Sequence, residues 1–478
     1  MKRTIFSALA FLCLAAPALA APSLTLTATS GAPSVAVTLK GKGFDPATLV
    51  DVYFDLTDIT LLVSNASGVV NATINIPASA QPGAHWLTLV ERRNDAAAQA
   101  KFSVSTNWPQ TGFGPSKRSF NPYENTVDTT NVAQLTRLWS MPLDGFGNAK
   151  PPIVFNGIVY VRDADQVIRA FAAAGGKLLW HASTPFEMFP DALTPIAVGK
   201  YVYFSDNNGN VIAYLGACRT DGGTCAPLWT TNIGSAVEGG LTFRQGNLYA
   251  PAADGEVHVL NPVTGAQGTP IVVSTTGALT SWIAFGADGG GYVADGSSMA
   301  ETTNNVGSSS NDNYSGTLSA PVVGSHTAYA TESDNILREV QFGWTAAIGS
   351  SSGCLSAPAF ANGVVFASSC NSLGAYDAGS GTTLWSLSTP GPTEGLSVAN
   401  GVLYACINSH LVAYAAAYGG RLWSGGFCSA APLMVNGVLY ASYADLSAYT
   451  LTGAQSTVVT MARPDPRRLK PTISAAQH

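Results

Sequence analysis

Once the leader Met1–Ala20 is set aside, six cysteines remain: Cys218, Cys225, Cys354, Cys370, Cys406 and Cys428. Thiols at these spacings can ligate a metal, run redox exchange or close structural bridges. No C-x-x-C or C-x-x-C-H is present, which removes the thioredoxin-like and c-type haem readings. An even count in an oxidising compartment predicts disulfides. Cys218 and Cys225 flank a short Gly-containing loop, and Cys354 and Cys370 lie symmetrically about an Asn362 turn. That leaves Cys406 to pair with Cys428. A Cys354–Cys428 link in non-reducing peptide mapping would contradict this scheme.

Other chemistry-bearing patterns resolve into turns. Asp206-Asn207-Asn208-Gly209-Asn210 has some of the oxygen ligands of a Ca²⁺ loop, but it lacks the downstream Glu of an EF-hand and lies between two predicted strands. A hairpin turn is the expectation there. Gly349-Ser350-Ser351-Ser352-Gly353 matches G-x-S-x-G, yet a nucleophile elbow needs a helix after it, and a strand is predicted at Ala357. The six histidines are scattered, with no metal-binding spacing assigned to them. H-E-x-x-H and Walker-type loops are absent.

The elements that would position a site come from an internal repeat. A short apolar strand, a Gly turn and a strand holding an aromatic recur, as in Ile153–Tyr160, Ala359–Phe366, Val398–Tyr404 and Val435–Tyr440. The aromatic falls at Tyr160, Tyr203, Tyr249, Tyr292, Tyr329, Phe366, Tyr404 and Tyr440, spaced 43, 46, 43, 37, 37, 38 and 36 residues apart. A pitch of about 40 residues per four-stranded unit is that of a β-propeller blade. Trp180, Trp229, Trp344, Trp385 and Trp423 end the fourth strand of their units, where packing between sheets is expected. Residues Ser297–Tyr314 are polar and Gly/Ser/Asn-rich, so the outer strands of the fourth unit are expected to be distorted or replaced by a loop. Asn131–Trp139 reads as an outer strand that completes the last blade.

The expected fold is therefore all-β: an eight-bladed β-propeller, with seven regular blades as the alternative. In it the start of each first strand lies at one channel mouth. Asp191, Glu238 and Glu394 occupy such starts, where sister units carry neutral residues. Three carboxylates around a mouth could bind Ca²⁺, or stand as solvated rim residues. Trp282 at the same level offers a stacking face, with core packing as its alternative role.

Ahead of the repeat, Ser23–Thr27, Val35–Leu39, Leu49–Phe54, Val69–Ile76, Trp86–Glu91 and Lys101–Val104 read as strands of an immunoglobulin-like β-sandwich. Lys2 and Arg3, the apolar Ile5–Ala16 and Ala18-Leu19-Ala20 form a signal peptide cleaved after Ala20; lipidation at Cys13 is disfavoured by the bulky Leu12. The domain reading is a signal peptide (1–20), a sandwich (22–105), a propeller (106–465) and a flexible tail (466–478).

The units A-P-x-x-x-N-G-V-x-[YF] and G-x-x-L-W, best seen from Ala357-Pro358 to Trp385, resemble repeats of the PQQ-binding-like (quinoprotein-like) propeller family. The opening Trp108-Pro109-x-x-Gly112, Asn121-Pro122-Tyr123-Glu124 and Asn131-Val132 is similar to that of its secreted members. Gly41-Lys42-Gly43-Phe44-Asp45-Pro46 resembles bacterial immunoglobulin-like domains of the IPT/TIG type. The first resemblance implies either a PQQ- and Ca²⁺-dependent alcohol dehydrogenase or a cofactor-free scaffold. Such dehydrogenases often carry an adjacent Cys-Cys pair, which this chain lacks, and no Glu/Asn/Asp metal set aligns residue by residue. The expectation is an exported binding or scaffold protein without catalytic residues, periplasmic or extracellular, recognising a protein or cell-surface ligand; the oxidoreductase is the alternative. A net charge of −6 and 11% charged residues argue against nucleic acid as a partner; the apolar core of the leader is too short to span a membrane, and no span is expected elsewhere.

Overall fold

The computed structural model describes residues 21–474 apart from 144–148, 164, 184–193, 274–276, 304–305, 310–313, 315, 326, 341–342 and 452–458. The leader assigned to residues 1–20 therefore lies outside the described residues. No α-helix occurs among those described, and no helix is long and apolar enough to cross a membrane. The chain divides into two units, Met1–Ala78 with Gly83–Val104 and Val459–His478, and Ser79–Pro82 with Ser105–Val458.

Among the described residues, the larger unit contains eight four-stranded antiparallel sheets, one of them extended by a fifth, parallel strand, Phe120–Asn121. The first sheet runs Ile153–Phe155, Ile158–Arg162, Val167–Ala172 and Leu178–Ser183 in chain order. Its first turn is Asn156-Gly157, with φ of 50° and 75°. The same pair of positive angles recurs at Asn362-Gly363, Asn400-Gly401 and Asn436-Gly437. These mirror-image turns match the twist of the strands they join, and Asn and Gly tolerate them best. The last sheet is completed from the other end of the unit, because Leu135–Pro142 pairs with Asp445–Leu451. The polar stretch of the fourth unit is not a loop throughout: Met299–Thr303 and Val306–Ser309 form its two outer strands. Met299 and Ala300 are buried on opposite sides of the sheet and anchor its third strand.

The repeated aromatics are the inter-sheet packing. Each marker from Tyr160 to Tyr440 is at most 3% exposed. Trp180 lies 6.0 Å from Tyr160, Trp229 5.7 Å from Tyr203 and Trp344 5.8 Å from Tyr329, all within one sheet. The indole N–H then reaches a carbonyl of the following sheet, Trp180 to Gly216, Trp344 to Ala378 and Trp385 to Ala416. Trp423 donates to Leu135 and Trp139 to Ala173, so the bonds continue across the closure. A buried indole needs such a partner; Trp229 departs from the pattern, its Nε1 buried with no hydrogen-bond partner among the described residues.

Three disulfides join Cys218–Cys225, Cys354–Cys370 and Cys406–Cys428. The last closes 22 residues between two wholly buried positions. Replacing Cys406 and Cys428 together by Ala should cost about 3 kcal/mol, through loop entropy returned to the unfolded chain. Urea unfolding of the double variant beside the wild type measures this, and equal midpoints would count against it.

The smaller unit has two sheets. One contains Ser23–Leu26, Ala36–Lys42 and Val70–Asn75; the other contains Ser30–Gly31, Ala97–Val104, Gly83–Glu91, Leu49–Phe54 and Thr57–Val63. Thr57–Val63 is a strand that the sequence reading passed over. It follows Asp55, at φ 52°, in a turn too short to register as a break. Val37, Leu39, Val50, Val52, Leu87, Leu89 and Phe102 are fully buried. The expected flexible tail is instead tied to this unit. Val459–Thr460 pairs with Gly83–Ala84, Trp86 Nε1 donates to Met461 O, and Asp58 accepts the amides of Thr472 and Ile473. The sheet thus offers a partner strand and acceptors to these residues, and Val459–His478 group with the smaller unit.

Candidate functional site: a plugged channel mouth

The innermost strands of the eight sheets are Ile153–Phe155, Ile196–Val198, Thr242–Arg244, Ala284–Phe285, Val322–Val323, Ala359–Ala361, Thr393–Ala399 and Leu433–Val435. An innermost strand leaves one row of amides and carbonyls unpaired, and buried backbone groups must find partners. One segment, Trp108 to Asn121, satisfies a residue in all eight. Trp108 exchanges two backbone bonds with Val154, and Pro109 O accepts from Ala197. The Gln110 amide serves Phe243 on both sides, accepting its N–H at 3.0 Å and donating to its carbonyl. Pro115 O, Ser116 O, Arg118 O and Ser119 O accept from Phe285, Val323, Phe360 and Val398 in turn. Asn121 Nδ2 donates to Met434 O at 2.9 Å. The channel is thereby filled by the chain's own backbone.

Above this plug lies a cavity of about 420 Å³. Its floor includes Trp108, Gly112, Lys117 and Ser119 from the plug, and its wall is made by the starts of the innermost strands. Glu238, Trp282 and Glu394 all line it, so three of the four residues singled out from sequence share one cavity. Asp191 lies outside the described residues. Glu238 is exposed, and Gly239 beside it presses on the Ser281 carbonyl so closely that a Cβ would stand 1.8 Å away. Glu394 accepts from Ser409 N and Oγ; burial raises its carboxyl pKa and those bonds partly offset the rise. Trp282 is half-buried against the core between the fourth and fifth sheets and donates from Nε1 to Pro321 O at 2.8 Å. It lines the cavity and packs against the core.

Sequence reasoning missed Lys117. Its side chain has no exposed surface, its Nζ donates to Leu241 O at 3.1 Å, and it lies 5.8 Å from the centre of the Trp282 ring. Desolvation lowers its pKa to about 7. The neighbouring Arg118 donates to Val323 and Gly324 carbonyls and faces the Phe360 ring, its pKa also lowered by burial. Two adjacent cations in a sparsely charged chain, inside W-P-Q-T-G-F-G-P-S-K-R, were the available signal.

The other sequence motifs are structural. Asp206 Oδ1 accepts the amides of Asn208 and Asn210, and its Oδ2 accepts the Asn210 side chain, which makes the stretch a turn. No helix follows Gly349–Gly353.

Ca²⁺ takes six to eight oxygens. Glu238 and Glu394 are two exposed carboxylates, and the second is engaged by Ser409. Among the described residues, the one group of three His, Cys, Asp or Glu side chains close enough to share an ion lies elsewhere. Cys218, Cys225, Cys354, Cys370, Cys406 and Cys428 are committed to the three bridges, none between adjacent residues. The mouth as described does not supply the donor set of a PQQ–Ca²⁺ centre.

Comparison with known proteins agrees with the fold. Residues 130–217 and 369–459 match the PQQ-repeat family model described as outer membrane protein assembly factor BamB. The quinohemoprotein alcohol dehydrogenase from Comamonas testosteroni superposes with a TM-score of 0.59 at 14% identity, over 75% of this chain and 82% of that one. The quinohemoprotein alcohol dehydrogenase ADHIIG from Pseudomonas putida HK5 gives 0.60 at 13%, over 78% and 84%. The computationally designed Ika8 protein gives 0.55 at 13%, over 66% and 99%. No curated protein matches the sequence. The larger unit is a β-propeller with a plugged channel. Residues 130–217 and 369–459 are similar to the repeats of that family model.

Proposed function

We propose that this is an exported, non-catalytic binding protein whose plugged propeller mouth is its recognition surface. The plug carries the reading. A segment that bonds to all eight innermost strands fills the channel and leaves a cavity above it, walled by Glu238, Trp282 and Glu394. Such a cavity buries a small ligand or a protruding side chain of a partner. Three disulfides support an oxidising compartment, periplasmic or extracellular. The two-sheet N-terminal unit, read as immunoglobulin-like, serves as a spacer or second contact surface.

The alternative, a PQQ- and Ca²⁺-dependent oxidoreductase, draws on the fold alone, because the donor set does not fit. Titration of the purified protein with PQQ, with and without Ca²⁺, separates the two readings. The expected result is no saturable binding at high micromolar PQQ and no reduction of an electron-accepting dye with alcohols. A thermal-shift screen of small ligands and short peptides should then find compounds that stabilise the wild type but not Trp282→Ala. Saturable Ca²⁺-dependent PQQ binding with dye reduction would overturn the proposal.

A further inference from the structure

The third sheet carries a side-chain cluster outside the mouth cavity. Its third strand is Glu256–Leu260, preceded by the turn Ala252–Gly255. Side chains alternate along a strand, so Glu256, His258 and Leu260 share one face. Leu260 belongs to the core between the second and third sheets. At the start of the strand that face is polar. His258 Nε2 lies 3.0 Å from Asp254 Oδ2 and 4.0 Å from Glu256 Oε2, and one ligand atom from each residue falls within 4.8 Å of the others. The imidazole is 8% exposed, whereas the carboxylates are 35% and 29% exposed, so the group opens to solvent on its acidic side. Asp254 is held in place by the Glu256 amide, which donates to its Oδ1.

The repeat supplies an independent comparison. His258 is the third residue of the third strand in its sheet. The third residue of the corresponding strand is Arg169 in the first sheet and Arg338 in the fifth. Each of those arginines pairs with an acid from the preceding turn, Asp163 or Glu332, both buried. There the sheet carries its own cation, a guanidinium paired with a buried carboxylate. In the third sheet two carboxylates meet an imidazole, and no Lys or Arg forms an ion pair with either among the described residues. The position that supplies positive charge in the first and fifth sheets instead presents a metal-ligating nitrogen.

We propose that Asp254, Glu256 and His258 form a site for a borderline divalent cation of the Zn²⁺ class. Imidazole with carboxylates suits Zn²⁺, Ni²⁺ or Cu²⁺ better than Ca²⁺, which prefers oxygen alone. Bonds of about 2.0–2.1 Å place tetrahedral ligands roughly 3.3 Å apart. The 3.0 Å pair is already near that spacing, and Glu256 reaches it by a rotamer adjustment on the open side. Binding replaces the His258–Asp254 hydrogen bond by two metal bonds, with the imidazole proton carried on Nδ1. Three protein ligands leave a fourth position for water or a ligand from a partner.

The test uses tag-free protein after chelator treatment and dialysis. Calorimetry with Zn²⁺ should show one equivalent bound at micromolar affinity, and Co²⁺ should develop visible absorption bands of four- or five-coordinate geometry. His258→Gln should weaken Zn²⁺ binding about 100-fold, Asp254→Asn and Glu256→Gln about 10- to 100-fold each, as loss of a ligand or its close support does. The exposed His410→Gln should bind as the wild type does. Circular dichroism and melting of the metal-free variants keep a folding defect distinct from loss of a ligand. Should His258→Gln unfold, a folded Asp254→Asn/Glu256→Gln double variant decides the matter. Absence of saturable Zn²⁺ binding to the wild type, or unchanged affinity in either folded ligand variant, overturns the site.

Discussion

Lys117→Met should flatten a rise in stability that the wild type shows between about pH 7 and pH 10. The native amine is desolvated and gives up its proton near pH 7, whereas an unfolded lysine keeps its proton to about pH 10.4. Across that window the unfolded state binds one more proton than the native state. Raising the pH therefore favours folding, by at most about 1.4 kcal/mol per pH unit for one proton. Below pH 7 both states are charged, and the full cost of burying the ammonium against one carbonyl and the Trp282 ring is present. Methionine fills the space without the charge, so the variant lacks this slope. Above pH 10 the sign reverses for both proteins. Tyr329 and Tyr376 are pushed up to about 12 by burial, so the native state holds protons that the unfolded state has lost. Urea unfolding at pH 7, 8 and 9 measures the difference between the two proteins. Parallel stability profiles across that range would mean that Lys117 is not desolvated and that the plug around it is wetter than its burial implies.

The propeller was legible in sequence for a physical reason. Each sheet buries the same kind of aromatic against its neighbour, so Tyr160, Tyr203 and their counterparts recur at blade pitch, and Asn-Gly recurs where a tight turn demands positive φ. Bridges such as Cys354–Cys370 were legible because the cysteines sit at equal distances from one of those turns. Glu238, Glu394 and Trp282 could be placed at one mouth because strand direction within a repeat fixes which end of the channel a residue occupies. The plug was not legible. Trp108–Asn121 has no periodicity, and its bonds run mostly from backbone carbonyls that any residue carries. Lys117 gave no pattern because its partner, the Leu241 carbonyl, is 124 residues away in sequence. The Asp254-x-Glu256-x-His258 alternation was present in sequence, but it becomes a cluster only once that stretch is known to be a strand.

Gly112→Val tests whether the plug holds the propeller together. Gly112 has φ of +72°, a left-handed conformation in which a β-branched residue is strained by about 1–2 kcal/mol. Its Cβ would also stand 2.5–2.7 Å from the Lys117 Cα, C and O atoms. Backbone cannot swing aside as a flexible side chain can, and it is fixed from both directions. Lys117 N donates to Gly114 O and Ser119 N to Gly112 O, while the residues on either side are bonded to innermost strands. The clash must therefore be relieved by lifting part of the segment from its acceptors, which leaves buried strand amides such as those of Phe285 and Val323 unsatisfied. Each unsatisfied amide costs about 1–3 kcal/mol, so the substitution should lower stability by more than about 3 kcal/mol. Gly114→Ala is the matched control. No atom lies within 4 Å of its added Cβ and its φ is not positive, so it should change stability by less than about 0.5 kcal/mol. Chemical unfolding, followed by tryptophan fluorescence, reads both variants. A Gly112→Val protein as stable as the Gly114→Ala control would show that the sheets hold one another without the segment, leaving the plug as the floor of the cavity and not a brace of the fold.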